Sequence, residues 1–119
     1  MKVTFSVPML PPSLNSYIRM HWAERQRILH EWKQWMFFKW IQLDKPRFRS
    51  AQISLTFIFP DQRLRDQDNF IATGSKLVGD SIKGLFIPDD SPTYLKKWSF
   101  DFSLSNPKRT EISIEGRKR

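Results

Sequence analysis

Asp66 and Asp68 stand two apart in the run Arg65-Asp66-Gln67-Asp68-Asn69, shortly after an apolar segment that ends at Phe59. Carboxylates this close repel one another, and both stay ionised only where something cationic holds them. Mg²⁺ is a natural occupant, because it takes hard oxygen ligands, usually one or two carboxylates completed by water and a substrate phosphate. A second acidic pair, Asp89-Asp90, follows further along the chain. If the helix between the two pairs runs back along a sheet, a third carboxylate from 89–90 converges on Asp66 and Asp68. Three carboxylates around a metal would suit phosphodiester hydrolysis, where the ion activates water and stabilises charge on the phosphorus oxygens. A plainer role fits the same residues: Asp68 as the cap of a following helix, and Asp-Asp-Ser-Pro as a turn. On spacing alone the plainer role is favoured.

Cations surround these acids: Arg63, Arg65, Lys76 and Lys83. A nuclease needs them, since its substrate is anionic and bare carboxylates would repel it. Helical geometry turns Lys76 away from the core, where it could hold a phosphate or stabilise a leaving oxygen. The alternative is a surface lysine loosely paired with Asp80, worth little. The 119-residue chain carries a formal net charge of +8, the electrostatic footprint of a protein that meets polyanions, nucleic acid first. There is no cysteine, which excludes disulfides and thiolate zinc sites. His21 and His30 are too far apart to form one helical metal pair. Thr73-Gly74-Ser75-Lys76 lacks the glycine spacing of a phosphate-binding loop. No stretch approaches the roughly 20 apolar residues of a membrane span, and the N-terminal apolar run is too short for a signal peptide. The expectation is a soluble cytoplasmic protein with no membrane partner.

The elements that must position these groups follow from periodicity. Val3, Phe5 and Val7 alternate with polar residues, which predicts a strand over 2–8. Prolines interrupt the chain, and a helix is expected from about Ser16 to Leu43, with Trp32, Met36 and Trp40 on its buried face. A second strand spans 51–60, with Ile53, Leu55, Phe57 and Phe59 facing one way. A second helix spans about 69–83, with Phe70, Leu77, Val78 and Ile82 buried beside Gly74 and Ser81. Strands over 93–104 and 110–115 follow, joined by a hairpin turn at Ser-Asn-Pro-Lys, and residues 116–119 form a disordered basic tail. The predicted fold is a single α+β domain over 1–119. It is a four-stranded mixed β-sheet with two helices packed on one face, in the order β-α-β-α-β-β. The first long helix carries more aromatics than one face can bury, among them Trp22, Trp35, Phe37 and Phe38. The surplus points to a subunit interface or a base-stacking surface, the interface being favoured.

Taken together, three segments resemble the RusA family of Holliday junction resolvases. Pro11-Pro12-Ser13, Asn15, Tyr17 and Arg19 resemble its N-terminal element. Residues 60–69 resemble the basic loop and its RDxDN signature, although Leu64 interrupts the basic run. Residues 76–95 resemble the stretch that ends in an Asp-Asp pair. The resemblance implies a homodimeric, Mg²⁺-dependent endonuclease, with Mn²⁺ as a substitute ion, acting on branched DNA. Its substrate would be a four-way junction cut by paired symmetric nicks. It implies metal ligation by Asp66, Asp68 and Asp90, with Lys76 catalytic and Asp89 and Asn69 auxiliary. It implies DNA contacts by Arg63, Arg65, Lys76, Lys83, Asn15, Tyr17 and Arg19. The rival expectations are a non-catalytic branched-DNA-binding protein, and a nuclease acting on flaps, forks or RNA.

Overall fold

The computed structural model describes residues 1–63 and 65–119; Leu64, where the basic loop is interrupted, lies outside them. The elements are β1 (Lys2–Val7), α1 (Leu14–Arg19), α2 (Trp22–Gln42), β2 (Phe48–Phe59), α3 (Asp68–Ile82), β3 (Leu95–Leu104) and β4 (Arg109–Lys118). One mixed four-stranded sheet has the order β1-β4-β2-β3. β4 is antiparallel to both neighbours, and β2 is parallel to β3. The chain is therefore the expected α+β domain, with the helices on one face of the sheet.

Alternation decides which face the helices cover. Ile53, Leu55 and Phe57 of β2 join Ile112 and Ile114 of β4 and Val7 of β1 in the core, against Trp32, Met36 and Trp40 of α2 and Leu77, Val78 and Ile82 of α3. Their sequence neighbours, such as Thr4 and Ser54, face the opposite, polar side and are exposed. α2 lies against α3 and reaches β1, while α1 braces α3. Gly74 is where α3 touches β2: a Cβ there would stand 2.5 Å from Cζ of Phe57, so only glycine permits this approach.

Three expectations are corrected. The first long helix is two. Met20 and His21 are extended, with ψ 145° at each, and the His21 side chain accepts the Ala23 amide to start α2 afresh. α1 starts earlier than expected, because Ser13 accepts the Ser16 amide at 3.2 Å. The second correction concerns Ser-Asn-Pro-Lys, which is no hairpin. Among the described residues β3 pairs only with β2, so the chain crosses the end of β2 to place β4 on its other side. β2 is the strand buried most continuously, Phe57 to Phe59 without a break, and such a strand takes a partner on both edges. Third, residues 116–118 are strand rather than a disordered tail. Arg117 and Lys118 pair with Ser50 and Phe48, and the Arg119 amide donates to the Arg47 carbonyl at 2.9 Å. The reason is length: β2 begins at Phe48, earlier than alternation suggested, and offers backbone groups that β4 extends to meet.

Candidate metal and DNA site

The acidic signature sits at the end of a locked loop. After β2, Asp61 accepts the Arg63 amide at 3.0 Å and the Arg65 guanidinium at 2.7 Å. The same guanidinium donates to the carbonyls of Asp61 and Arg63 and lies 4.2 Å above the Phe59 ring. Arg65 keeps only 13% of its side chain exposed. Its cation is thus committed to holding the loop, and it positions the site rather than offering a free charge to a ligand. The Arg63 amide first, and then Arg65, hold the Asp61 carboxyl below its ordinary range. Arg63 itself is exposed, and with Phe59, Gln62, Arg65, Gln67, Phe102, Ser103 and Leu104 it lines a shallow pocket of about 220 Å³.

Asp66, not Asp68, caps α3. The Asp66 carboxylate accepts the Asp68 amide at 3.1 Å, and its carbonyl accepts the Asn69 amide at 3.2 Å. Gln67 at the nominal cap position makes no side-chain capping bond among the described residues. This leaves Asp68 in the first turn of α3, exposed, with no hydrogen bond or ion pair to its carboxylate among the described residues. Asn69 is half-buried, and its carbonyl accepts from the Thr73 hydroxyl at 3.3 Å.

Asp90 stands elsewhere on the same helix. A Cβ placed on Gly79 would lie 3.4 Å from Oδ2 of Asp90, so this carboxylate rests against the last turn of α3. Gly79 is eleven residues beyond Asp68, about 16 Å along the helix axis at 1.5 Å per residue. Asp89, its neighbour, is exposed. Among the described residues no three acidic or histidine side chains form a group able to hold a metal ion. Lys76 is exposed as expected, 3.8 Å from Asp80, which also meets Lys83 at 3.8 Å. Lys76 and Gly79 are three apart, hence neighbours along the helix, and Asp90 rests against the second of them. The candidate site is a strip along α3, with Asp66 and Asp68 at its head and Lys76, Asp80, Lys83 and Asp90 further down.

The N-terminal element braces this helix. The Thr73 hydroxyl donates to the Pro12 carbonyl at 2.6 Å, and Pro11 packs beside Gly74. Tyr17 is buried at 9% exposure, with the Arg25 guanidinium 5.7 Å from its ring centre, so it supports α1 instead of facing a ligand. Asn15 and Arg19 are exposed. The sequence reading missed Asp61 and Arg25. Asp61 had a usable signal, a carboxylate two residues ahead of an amide it accepts, as turn-forming aspartates do; Arg25 had none.

Two carboxylates at the head of α3 fit a Mg²⁺ ion that keeps several waters, the ion's usual habit. Asp68 is the better donor, since Asp66 already accepts an amide. The outer face of α2 bears exposed Phe37, Phe38 and Ile41, and no helix among the described residues is long and apolar enough to cross a membrane. In comparisons with known proteins, no family model and no curated protein matches the chain.

Proposed function

We propose that this protein is a Mg²⁺-dependent, structure-selective endodeoxyribonuclease of the RusA kind, acting in the cytoplasm as a homodimer that resolves four-way DNA junctions. The observation that carries the reading is Asp68. Among the described residues it is an exposed carboxylate with no partner, beside a second carboxylate, in a chain of net charge +8. The cap is supplied by Asp66, so beyond the modest stabilisation a first-turn carboxylate draws from the helix dipole, the Asp68 oxygens are left for a ligand. A bound Mg²⁺ would supply an activated water and charge stabilisation at phosphorus. The chain's own residues do the rest. Asp68, with Asp66, would hold the ion, and the Arg65 lock keeps both at a fixed distance from β2. Lys76 and Lys83 attract the phosphodiester backbone to the strip, and Lys76, held only loosely by Asp80 at 3.8 Å, would lend its charge to the leaving oxygen. Arg63, Asn15 and Arg19, all exposed, extend the contact to neighbouring phosphates. Asp90, with Asp89 beside it, rests against Gly79 further down the strip, so water and substrate phosphate would complete the shell of an ion held by Asp66 and Asp68.

A second reading is favoured by one observation: Asp90 rests against Gly79, away from Asp68. On that reading the chain binds branched DNA without cutting it, and binding falls steeply with salt. The two are separated by incubating a labelled four-way junction with Mg²⁺ and wild-type protein or Asp68→Asn. Paired symmetric nicks by wild type, with binding but no nicks by the variant, establish the nuclease. Binding without nicks by either protein establishes the second reading. Faster cutting of flaps, forks or RNA than of the junction reassigns the substrate.

A further inference from the structure

The free edge of β3 matches itself. Among the described residues β3 ends the sheet and is bonded along one side only, to β2. The Ser105 amide donates to the Phe59 carbonyl at 2.9 Å. That bond fixes the parity of the strand: Ser103, Asp101 and Ser99 turn their backbone groups to β2, while Phe102, Phe100 and Trp98 turn theirs outward. The Phe102 amide, facing out, is met by the carboxylate of its neighbour Asp101 at 3.2 Å. The side chains alternate at right angles to this. Lys97, Ser99 and Asp101 stand exposed on the polar face of the sheet, and Trp98, Phe100 and Phe102 are half-buried on the helix face.

We propose that β3 pairs antiparallel with β3 of a second copy, about a two-fold axis at Ser99. That register places Lys97 opposite Asp101 of the second copy, and Asp101 opposite its Lys97. It places Trp98 opposite Phe100, whose outward backbone groups then exchange hydrogen bonds on both sides of the axis. Within one copy Trp98 and Phe100 are stacked, with ring centres 5.9 Å apart and planes 2° from parallel. The seam sets two such stacks side by side as a two-by-two block of rings. Moving the axis to Lys97 sets lysine against lysine, and moving it to Phe100 leaves both charges without a mate, so the charges select Ser99. Asp101, which now shields an edge amide as edge strands commonly require, is released to Lys97 of the second copy. The result is one continuous eight-stranded sheet with both α3 strips on the same side. As the source of paired cuts this rests on the nuclease reading; as a strand pairing it does not, and its test reads no cleavage.

The chain has no cysteine, so Ser99→Cys introduces a single thiol on the proposed axis. Directly opposed residues in such a narrow pair have Cα atoms about 4.5 Å apart, within the range of about 4.4–6.8 Å that a disulfide spans. Mild oxidation is expected to convert most of Ser99→Cys to a covalent dimer and to leave Ser103→Cys, whose opposite number is Leu95, monomeric. In sedimentation without oxidant, Lys97→Glu is expected to weaken the dimer at least tenfold, and Lys97→Glu/Asp101→Lys to restore it. Equal cross-linking at Ser99 and Ser103, or a wild-type chain that sediments as a monomer, overturns the proposal. So does a dimer broken by Phe38→Glu and untouched by Lys97→Glu, which would move the interface to α2.

Discussion

Two glycines in one helix should answer the same substitution with opposite signs. Gly74 and Gly79 both lie inside α3, and alanine at either removes roughly 1 kcal/mol of helix-propensity penalty. Their surroundings differ. A methyl at Gly74 would meet Cζ and Cε1 of Phe57 at 2.5 and 2.8 Å. That ring cannot retreat: it is fully buried, with Phe102 at 5.3 Å and Phe100 at 6.5 Å between ring centres. Forcing an extra methyl into such packing costs about 1–3 kcal/mol. A methyl at Gly79 would meet Asp90 Oδ2 at 3.4 Å and Trp98 Cζ2 at 3.7 Å, ordinary contacts. Gly79→Ala should therefore gain up to about 1 kcal/mol, and Gly74→Ala should lose up to about 2 kcal/mol. The propensity gain cancels in the difference, which leaves a gap of about 1–3 kcal/mol due to packing alone. Urea unfolding of the two variants reads it directly, provided the denaturant slope stays constant. Gly74→Ala as stable as Gly79→Ala would refute the claim that α3 is held at its distance from β2 by a missing side chain.

The loop and the N-terminal brace make further predictions. Asp61 has a folded pKa below its unfolded value of about 4, so its contribution is complete above that value and is lost as pH falls through the folded one. Followed by NMR, the Arg63 amide should lose its bonded shift only below about pH 4; Asp61→Asn should abolish that step, and loosening on raising the pH instead would contradict the assignment. Thr73→Val removes the donor to the Pro12 carbonyl at a residue that is 1% exposed. It should cost about 1–3 kcal/mol in thermal unfolding, and increased proteolysis within residues 11–19 should accompany it. Asp68→Asn, by contrast, should leave stability within about 0.5 kcal/mol of wild type, as surface substitutions do, so that any loss of cleavage is chemical rather than structural.

How much of this was legible in the sequence depends on whether a neighbour in the chain or a neighbour in space sets each feature. Val3, Phe5 and Val7, and Ile53 to Phe59, declare strands because burial on one face is a period-two pattern. Trp32, Met36 and Trp40 declare the buried face of α2 for the same kind of reason. The break at Met20-His21 leaves no comparable mark, since neither residue is a glycine or proline and the cap is a histidine. Strand order is not local either: nothing in Ser-Asn-Pro-Lys distinguishes a hairpin from a crossing over β2. In the candidate site, the Asp66–Asp68 pair was legible and its division of labour was not, because which carboxylate caps depends on where the helix begins by a single residue. Arg65 read as a free cation; Phe59 and Asp61, six and four residues away along a folded-back loop, claim it instead.

The strand order also carries a consequence for how the chain acquires its structure. Among the described residues β1, early in the chain, pairs only with β4, which follows the other strands. β4 in turn fills the gap between β1 and β2, so the sheet cannot close until residues 109–118 are available. Contacts of such long sequence separation are formed late and slowly, because the entropy of closing the loop precedes their reward. Until then β1 and the inner edge of β2 present unpaired backbone and apolar side chains, Phe5 and Phe57 among them. The vulnerable interval in the life of this protein is therefore its synthesis, when its first strand must wait for its last.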